Sequence, residues 1–395
     1  MQPYALGFVG QNANGILHWW TENILNGFSR HGYASKLIDL LDSTWPAKLG
    51  EIMNAGAPQF CFSFQGMGMD IKLNNENAWT RAGIPFFTYL GDNPYHAPRL
   101  HAAHAPGMYL LYGCRDFLET YQRFLHGRAY ATVVPSGYPA NPFADGKPWK
   151  QRRHEIVFAK TGVNPAALRE GWNKLPARVR LLLEECSELV LSGVDDTIAG
   201  CCATVFASRQ IHCGDARELF LSVCSSVDFY ARAVRAERMV RALMRHNALI
   251  IGDWSYLDQA GSRARFIAPI PAAALDELYA DSRIIANTLP SVRYGTHERV
   301  TAGLLAKCAI VSESTPWLDR TMERCPSFFA LQGDISDTLH SVLHDPAIEE
   351  KIGASATAAR EMYSMENFIT EILSYVELER YRKADLGWWT FPPRA

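Results

Sequence analysis

Short apolar segments alternate with amphipathic segments along the chain. Residues 4–9 are apolar, residues 16–30 carry apolar side chains at helical spacing, and residues 35–40 are interpreted as a second strand. This strand–helix–strand order predicts parallel strands with helices on the faces of the sheet. Further apolar segments continue the pattern and predict strands at 59–64, 85–90, 108–112 and 131–135. We therefore predict a Rossmann-like domain at 1–145.

A second parallel domain is predicted after a stretch rich in glycine and proline at 137–154. Helical periodicity at about 165–246 predicts a helical insert within this second Rossmann-like domain, which we place at 155–365. The remaining residues, 366–395, are predicted to form a helical tail that packs back on the first domain. Apolar segments predict the strands of the second domain at 156–159, 248–251, 265–267, 284–287 and 309–312.

The predicted fold class is therefore α/β, with two doubly wound parallel sheets that face a cleft. Ligands of open parallel sheets bind beyond the carboxyl ends of the strands. Both domains can point these strand ends at the same gap, so we expect the functional site there.

The composition and net charge of the chain exclude or disfavour several classes of protein. The 395 residues are 48% hydrophobic and 20% charged, with a formal net charge of −2. Disorder is excluded, and the charge gives no reason to expect binding to nucleic acid or to an anionic membrane. Nine cysteines without a C-x-x-C pair predict buried thiols rather than a metal site. With neither a signal peptide nor a membrane-spanning apolar run, we expect a cytoplasmic protein.

The segment from 287 to 300 carries the most chemical information. A predicted strand ends at Asn287, a loop follows, and a helix is predicted to begin near Thr296, a residue type suited to a helix N-cap. The N–H groups and the dipole of such a helix start favour an anion, most simply a diphosphate. His297 and Arg299 in the first turn can add donors to phosphate oxygens, and Glu298 can accept hydrogen bonds from sugar or ribose hydroxyls.

This segment, with the strand that ends in Ser312-Glu313-Ser314-Thr315-Pro316, resembles the donor-binding region of GT-B glycosyltransferases, specifically their CgeB-like branch. Two shorter stretches, 89–94 and 250–254, are similar to the aromatic-x-Asp-x-Pro loop and the glycine-tryptophan turn of that branch. The resemblance implies transfer of a sugar from a nucleotide diphosphate donor, such as a UDP-sugar, to an acceptor glycan, protein or small molecule, without a required cofactor or metal. The donor-binding residues that it implies are Gly15, Trp254, Asn287, Tyr294, Gly295, Thr296, His297, Glu298 and Arg299.

One feature departs from many retaining GT-B enzymes, which carry two glutamates eight residues apart. Ala306 stands eight residues after Glu298, and Leu305 stands eight residues before Glu313. The stereochemical outcome therefore stays open. For an inverting reaction the general base is expected to be Asp92 or His18, both near strand ends of the first domain. Each also has a structural interpretation, Asp92 as a turn residue and His18 as a packed or surface histidine.

The same scaffold leaves two other functions open, a sugar-nucleotide epimerase or hydrolase and a non-catalytic binding protein. A nicotinamide-dependent dehydrogenase is disfavoured, because Gly7, Gly10 and Gly15 lack the G-x-G-x-x-G spacing. A helix near 228–246 also presents a basic face. This face is interpreted as solvent-exposed, with docking of an acidic acceptor or partner as the alternative, and its members are Arg232, Arg235, Arg238, Arg241 and Arg245.

Overall fold

The structure is a computed structural model that describes residues 2–10, 15–102, 106–125, 129–289 and 292–384. The turn-rich residues 11–14 and the end of the predicted tail, residues 385–395, lie outside the described residues.

The first sheet has six parallel strands in the order β2-β1-β3-β6-β7-β8. Its two central strands β3 and β6 are buried along their whole length, as expected where helices cover both faces of a parallel sheet. A small antiparallel hairpin, β4–β5, lies outside this sheet. The strands of this half are β1 Tyr4–Val9, β2 Ala34–Asp39, β3 Phe60–Phe64, β4 Lys72–Leu73, β5 Glu76–Asn77, β6 Phe86–Leu90, β7 Met108–Tyr112 and β8 Tyr130–Val133.

The second sheet also has six parallel strands, in the order β11-β10-β9-β12-β13-β14. The direction of winding reverses between β9 and β12, which is where ligands bind in open sheets of this kind. The predicted α/β class with two doubly wound sheets is confirmed. The strands are β9 His154–Ala159, β10 Ala248–Ile251, β11 Arg265–Ile267, β12 Ser282–Asn287, β13 Ala309–Ser312 and β14 Phe328–Ala330.

Helices cover both sheets. The first half contains α1 Ile16–Arg30, α2 Trp45–Asn54, α3 Ala78–Ala82, α4 Pro98–Ala102 and α5 Arg115–Thr120. Four helices lie between β9 and β10, namely α6 Pro165–Trp172, α7 Ala177–Leu191, α8 Ile198–Ser208 and α9 Arg217–Leu243. The others are α10 Leu275–Ala280, α11 Glu298–Leu305, α12 Pro316–Thr321, α13 Ile335–Leu343, α14 Ile348–Tyr363 and α15 Met365–Ala384.

The helical insert packs differently from what its place in the sequence suggests. We expected an elaboration of the second domain, but the first part of α9 packs on the N-terminal half, where Phe220 and Phe124 lie with ring centroids 4.5 Å apart. The last turns of α9 belong instead to the core of the second sheet, through Met239, Val240 and Leu243. The insert therefore joins the two halves.

The last described helix also contacts the N-terminal half. Phe368 of α15 packs edge-on against Tyr89 at the end of β6, with centroids 5.1 Å apart, and Tyr109 of β7 donates a hydrogen bond to Glu379. Residues from both sheets consequently share one large hydrophobic cluster.

Candidate active site

The loop that follows β12 is fastened to the N-terminal half. The buried carboxylate of Asp116, in the first turn of α5, accepts hydrogen bonds from the backbone N–H groups of Arg293 and Tyr294. A side chain on Gly295 would place its Cβ 2.6 Å from the Cβ of Cys114, so only glycine permits this approach. The carboxyl ends of the two sheets thus meet at one gap, as predicted.

The loop also borders a cavity of about 660 Å³ between the two halves. Tyr294 and Thr296 face this cavity from one side, and Ser136 from the other. The ring of Tyr294 lies between the guanidinium groups of Arg115 and Arg293, 5.3 and 5.2 Å from its centroid. The segment predicted to face an interdomain gap therefore does so.

Helix α11 begins two residues later than predicted. His297, not Thr296, is the N-cap, and its Nδ1 accepts the backbone N–H of Arg299 at 3.2 Å. The hydroxyl of Thr296 is buried and has no hydrogen-bond partner among the described residues. Burial and the charge of Arg299 lower the pKa of His297 to about 4, so the ring is neutral at pH 7. His297 therefore holds the helix start and is not a charged phosphate donor.

Arg299 is used within the protein. Its Nη1 donates to the carbonyl of Ala159, the last residue of β9, at 3.0 Å, and its Nη2 lies 3.0 Å from Nε2 of His297. Arg299 is buried, so these contacts fix its charge beneath the gap. We expected a direct phosphate donor, whereas the structure shows a buried cation that joins α11 to β9.

Glu298 is the residue of the α11 start that faces solvent. Its side chain remains 48% exposed, against 15% for His297, although protein surrounds it at longer range. Burial would raise the pKa of this carboxyl, but the charge of Arg299 and the backbone N–H of Glu298 itself hold the pKa below its ordinary value. Glu298 therefore presents an ionised carboxylate to the gap.

Lys160 is a candidate site residue that the sequence analysis missed. It follows β9 directly, its carbonyl accepts from Trp254 Nε1 at 2.7 Å, and among the described residues its ammonium group has neither an ion pair nor a hydrogen bond. Burial, followed by the charges of Arg299 and Arg232, lowers the pKa of Lys160 to about 8. A partly buried cation without a partner at a strand end is suited to bind an anion. The rule that ligands sit beyond strand ends provides a sequence signal for it.

The two candidate bases lie in different surroundings. Asp92 is exposed after β6, accepts a hydrogen bond from Nε2 of Gln65 at 2.8 Å, and acts electrostatically on Arg232 of the insert. His18 is in the first turn of α1, and its contact is Glu22 on the same helix, 3.3 Å away. The structure therefore brings Asp92 near Arg232, one of the cations of the gap.

Two other predicted donor-binding residues are buried structural residues. Trp254 is 2% exposed, stacks near Phe158 and uses its indole N–H within the protein, so its side chain offers no surface to a ligand. Asn287 is fully buried and donates to Oγ of Ser312 at 2.9 Å. Its position at the end of β12 is as predicted, but its side chain joins β12 to β13 instead of facing the gap.

Gly15 has the backbone conformation that favours glycine, with φ of 71°, and it precedes α1. A Cβ there would meet no atom of the described residues within 4 Å, its chain neighbours aside.

A second cavity, of about 650 Å³, lies at the carboxyl ends of β12 and β13 beneath α9. Glu313, after β13, accepts the backbone N–H of Leu289 at 3.0 Å, and the charge of Lys160 acts on it. Arg235 and Arg238 of α9 line this cavity, so part of the basic helix face borders the site instead of bulk solvent.

Two kinds of feature are absent from the described residues. They contain no group of three or more His, Cys, Asp or Glu side chains arranged to hold a metal ion. Within the described parts of the chain, no helix has both the length and the apolar character that a membrane span requires.

Comparison with known proteins gives matches at the level of structure. No protein-family model matches the chain, and no curated protein sequence matches it. HepE of Anabaena, solved with UDP and glucose, is 11% identical with a TM-score of 0.54, covering 95% of this chain and 100% of its own. AviGT4, a glycosyltransferase involved in avilamycin A biosynthesis, is 12% identical with a TM-score of 0.53, covering 96% and 97%. Sucrose-phosphate synthase of Thermosynechococcus elongatus is 11% identical with a TM-score of 0.52, covering 97% and 100%. The chain therefore has the GT-B glycosyltransferase fold.

Proposed function

We propose that this protein is a glycosyltransferase that moves a sugar from a nucleotide diphosphate donor to an acceptor hydroxyl. The observation that carries the proposal is the unpartnered ammonium group of Lys160 at the winding reversal of a GT-B fold, beside the start of α11. In the proposed division, residues 155–365 hold the donor and residues 1–145 hold the acceptor. UDP is the proposed nucleotide, since the similar structure of HepE was solved in complex with UDP.

The donor is proposed to lie along the carboxyl ends of the second sheet. Lys160 and the positive end of the α11 dipole bind the diphosphate. The nucleoside lies in the cavity of about 650 Å³, where Glu313 accepts a hydrogen bond from ribose. Glu298 accepts from the sugar hydroxyls, while Tyr294, Gly295 and Thr296 border its surroundings and Gly15 leaves room for the phosphates.

Transfer breaks the bond between the anomeric carbon and the diphosphate oxygen, and the electron pair leaves with the diphosphate. Positive charge fixed before the reaction stabilises this leaving group, and Lys160 and the buried Arg299 supply it. We propose that no metal is required. In an inverting reaction the acceptor oxygen attacks the anomeric carbon while Asp92 takes its proton.

The family branch, the cellular location and the class of acceptor are also proposals. The CgeB-like branch is supported by the residues at 287–300 and 309–316, and a cytoplasmic location by nine free cysteines, eight of them buried. The acceptor is proposed to be a glycan, a protein or a small molecule.

The test is a thermal-shift screen with UDP, GDP, ADP and dTDP, with and without EDTA, on the wild type and on Lys160→Met. We expect one nucleotide to raise the melting temperature in EDTA, and the substitution to remove that shift. Lys150→Met, an exposed lysine in a turn before β9, is the matched control and should keep it. The proposal fails if no nucleotide stabilises the wild type.

Mass spectrometry of the matching sugar nucleotide then separates the reaction classes. A glycosyltransferase forms a glycoside only with an acceptor. Release of an altered free sugar without an acceptor would show an epimerase or hydrolase, and binding without turnover with any acceptor would favour a binding protein.

A further inference from the structure

Helix α9 crosses from one half of the protein to the other. It has 27 residues, about 40 Å of helix at 1.5 Å per residue. Phe220 near its start packs against Phe124 of the N-terminal half, and Leu243 at its end belongs to the core of the second sheet. Its middle section, near residues 228–238, borders the cavity at the carboxyl ends of β12 and β13 through Arg235 and Arg238.

The N-terminal half fixes this middle section through Asp228. The carboxylate is fully buried and lies 2.7 Å from Nε2 of His96 and 3.1 Å from the hydroxyl of Tyr95. His96 also lies 2.9 Å from Oγ of Ser225 through its other ring nitrogen. Tyr95 and His96 belong to the turn that follows Asp92, so the loop after β6 and α9 form one hydrogen-bonded unit.

Asp228 in turn orients Arg232. Nε of Arg232 donates to the carboxylate at 2.9 Å from the next turn of the helix, and 21% of the side chain remains exposed. In the described part of the chain no other partner is found for its terminal N–H groups. One edge of the guanidinium is thus held while the other stays available to a ligand.

Arg232 and Lys160 converge on the same gap from different elements. The charge of Arg232 acts on both Lys160 and Arg299, while Asp92 and Asp228 act on Arg232. Like charges brought together in a partly buried place repel, and an anion between them relieves this repulsion. A planar guanidinium next to an ammonium group is well suited to phosphate oxygens.

We propose that Arg232 binds the diphosphate of the donor together with Lys160, and that Asp228 is the positioning residue that aims it. The ligand class is a nucleoside diphosphate, and this inference rests on the proposed function. The helical insert then completes the anion site, and the loop that carries Asp92 is coupled to that site through His96 and Asp228.

The test is calorimetric titration of the wild type and variants with whichever of UDP, GDP, ADP or dTDP stabilises the wild type. For Arg232→Met we expect a loss of affinity of about tenfold or more, as for a charge-assisted hydrogen bond. Arg241→Met is the matched control, because Arg241 pairs with Glu237 through the same four-residue spacing but lies further along α9. It should change the affinity less than about twofold.

Two further variants separate binding from folding. Asp228→Asn should weaken the affinity for the nucleoside diphosphate by about threefold or more, because Arg232 loses the carboxylate that orients it. The affinity for the nucleoside without phosphates should not change, because the substitution leaves the nucleoside cavity intact. Arg232→Lys keeps the charge and should lose less affinity than Arg232→Met.

The outcomes distinguish this inference from the proposed function. Wild-type affinity in Arg232→Met together with lost affinity in Lys160→Met overturns the role of Arg232 and leaves the glycosyltransferase proposal standing. Absence of binding of all four nucleotides to the wild type overturns both. Equal losses in Arg232→Met and Arg241→Met would mean a general charge effect and would also overturn the inference.

Discussion

The start of α11 and the gap beside Lys160 lie against each other but use their polar groups in opposite ways. At the start of α11, His297 and Arg299 are hydrogen-bonded to each other, and Arg299 also binds the end of β9. The ammonium group of Lys160, the next residue after that strand end, has neither a hydrogen bond nor an ion pair among the described residues. The charged side chains of the first region are paired within the protein, whereas the second region contains a cation that is available to a ligand. The difference indicates that a distinctive sequence segment can build the site while less distinctive residues bind the ligand.

The sharpest test of this comparison removes one cation from each region. Arg299→Met should lower the free energy of unfolding by about 3–5 kcal/mol, because it breaks a buried charged network. Lys160→Met removes a cation without a partner and should leave stability unchanged or raise it by up to about 1 kcal/mol. Denaturant unfolding at pH 7 measures both. Equal losses of stability would contradict the distinction between scaffold and ligand site.

A second test concerns the acceptor side of the gap. Asp92→Asn should lower the rate of sugar transfer about 100-fold, or about 2.7 kcal/mol, because the acceptor hydroxyl loses its base, while nucleotide affinity stays within about twofold. His18→Gln is the control, and steady-state kinetics with a fixed acceptor is the measurement. A large rate loss in His18→Gln with none in Asp92→Asn would reverse the assignment.

A third test removes the hydrogen bonds that hold the loop after β12 against the N-terminal half. Asp116→Ala leaves the N–H groups of Arg293 and Tyr294 without their acceptor and should cost about 2 kcal/mol of unfolding free energy. Glu119→Ala, on the same helix, breaks an exposed pair with Arg115 and should cost less than about 1 kcal/mol. Thermal and denaturant unfolding compare the two. No difference between them would mean that the loop does not depend on this contact.

The smallest expected effect is a pH dependence from Lys160. Its pKa is lowered to about 8 in the folded protein, so between about pH 8 and its ordinary value the unfolded chain binds more protons. Stability contributed by this group therefore rises with pH across that range, by about 1 kcal/mol after screening by solvent. Nucleotide affinity falls over the same range, because the ammonium loses its charge. The difference between wild type and Lys160→Met in pH-dependent unfolding isolates the effect, and identical profiles would contradict it.

The sequence predicted much of the fold because buried strands and amphipathic helices have clear patterns. The bounds of β1, β7 and α1 were predicted as the structure has them. The three-residue strand β14 was not predicted, although the equally short β11 was. The start of α9 at Arg217 was missed, and this helix was predicted only from residue 228. The domain limits at 145, 155 and 365 stay predictions.

The site was predicted less completely, for a physical reason. A sequence shows residue types but not which polar groups find partners after folding. His297, Arg299 and Asn287 have suitable types, yet the fold uses their side-chain nitrogens in contacts within the protein. Arg232 belonged to a face interpreted as solvent-exposed, and its orientation depends on Asp228 and on His96, which is distant in sequence. Lys160 could have been predicted from the sequence, because it directly follows a strand and ligands bind beyond the carboxyl ends of strands.

The most direct test of the central claim is a crystal structure with the nucleoside diphosphate that stabilises the protein. We predict phosphate oxygens within about 3 Å of Nζ of Lys160, in front of the N-terminal end of α11. A nucleotide bound elsewhere, with Lys160 turned away from every phosphate, would contradict this claim.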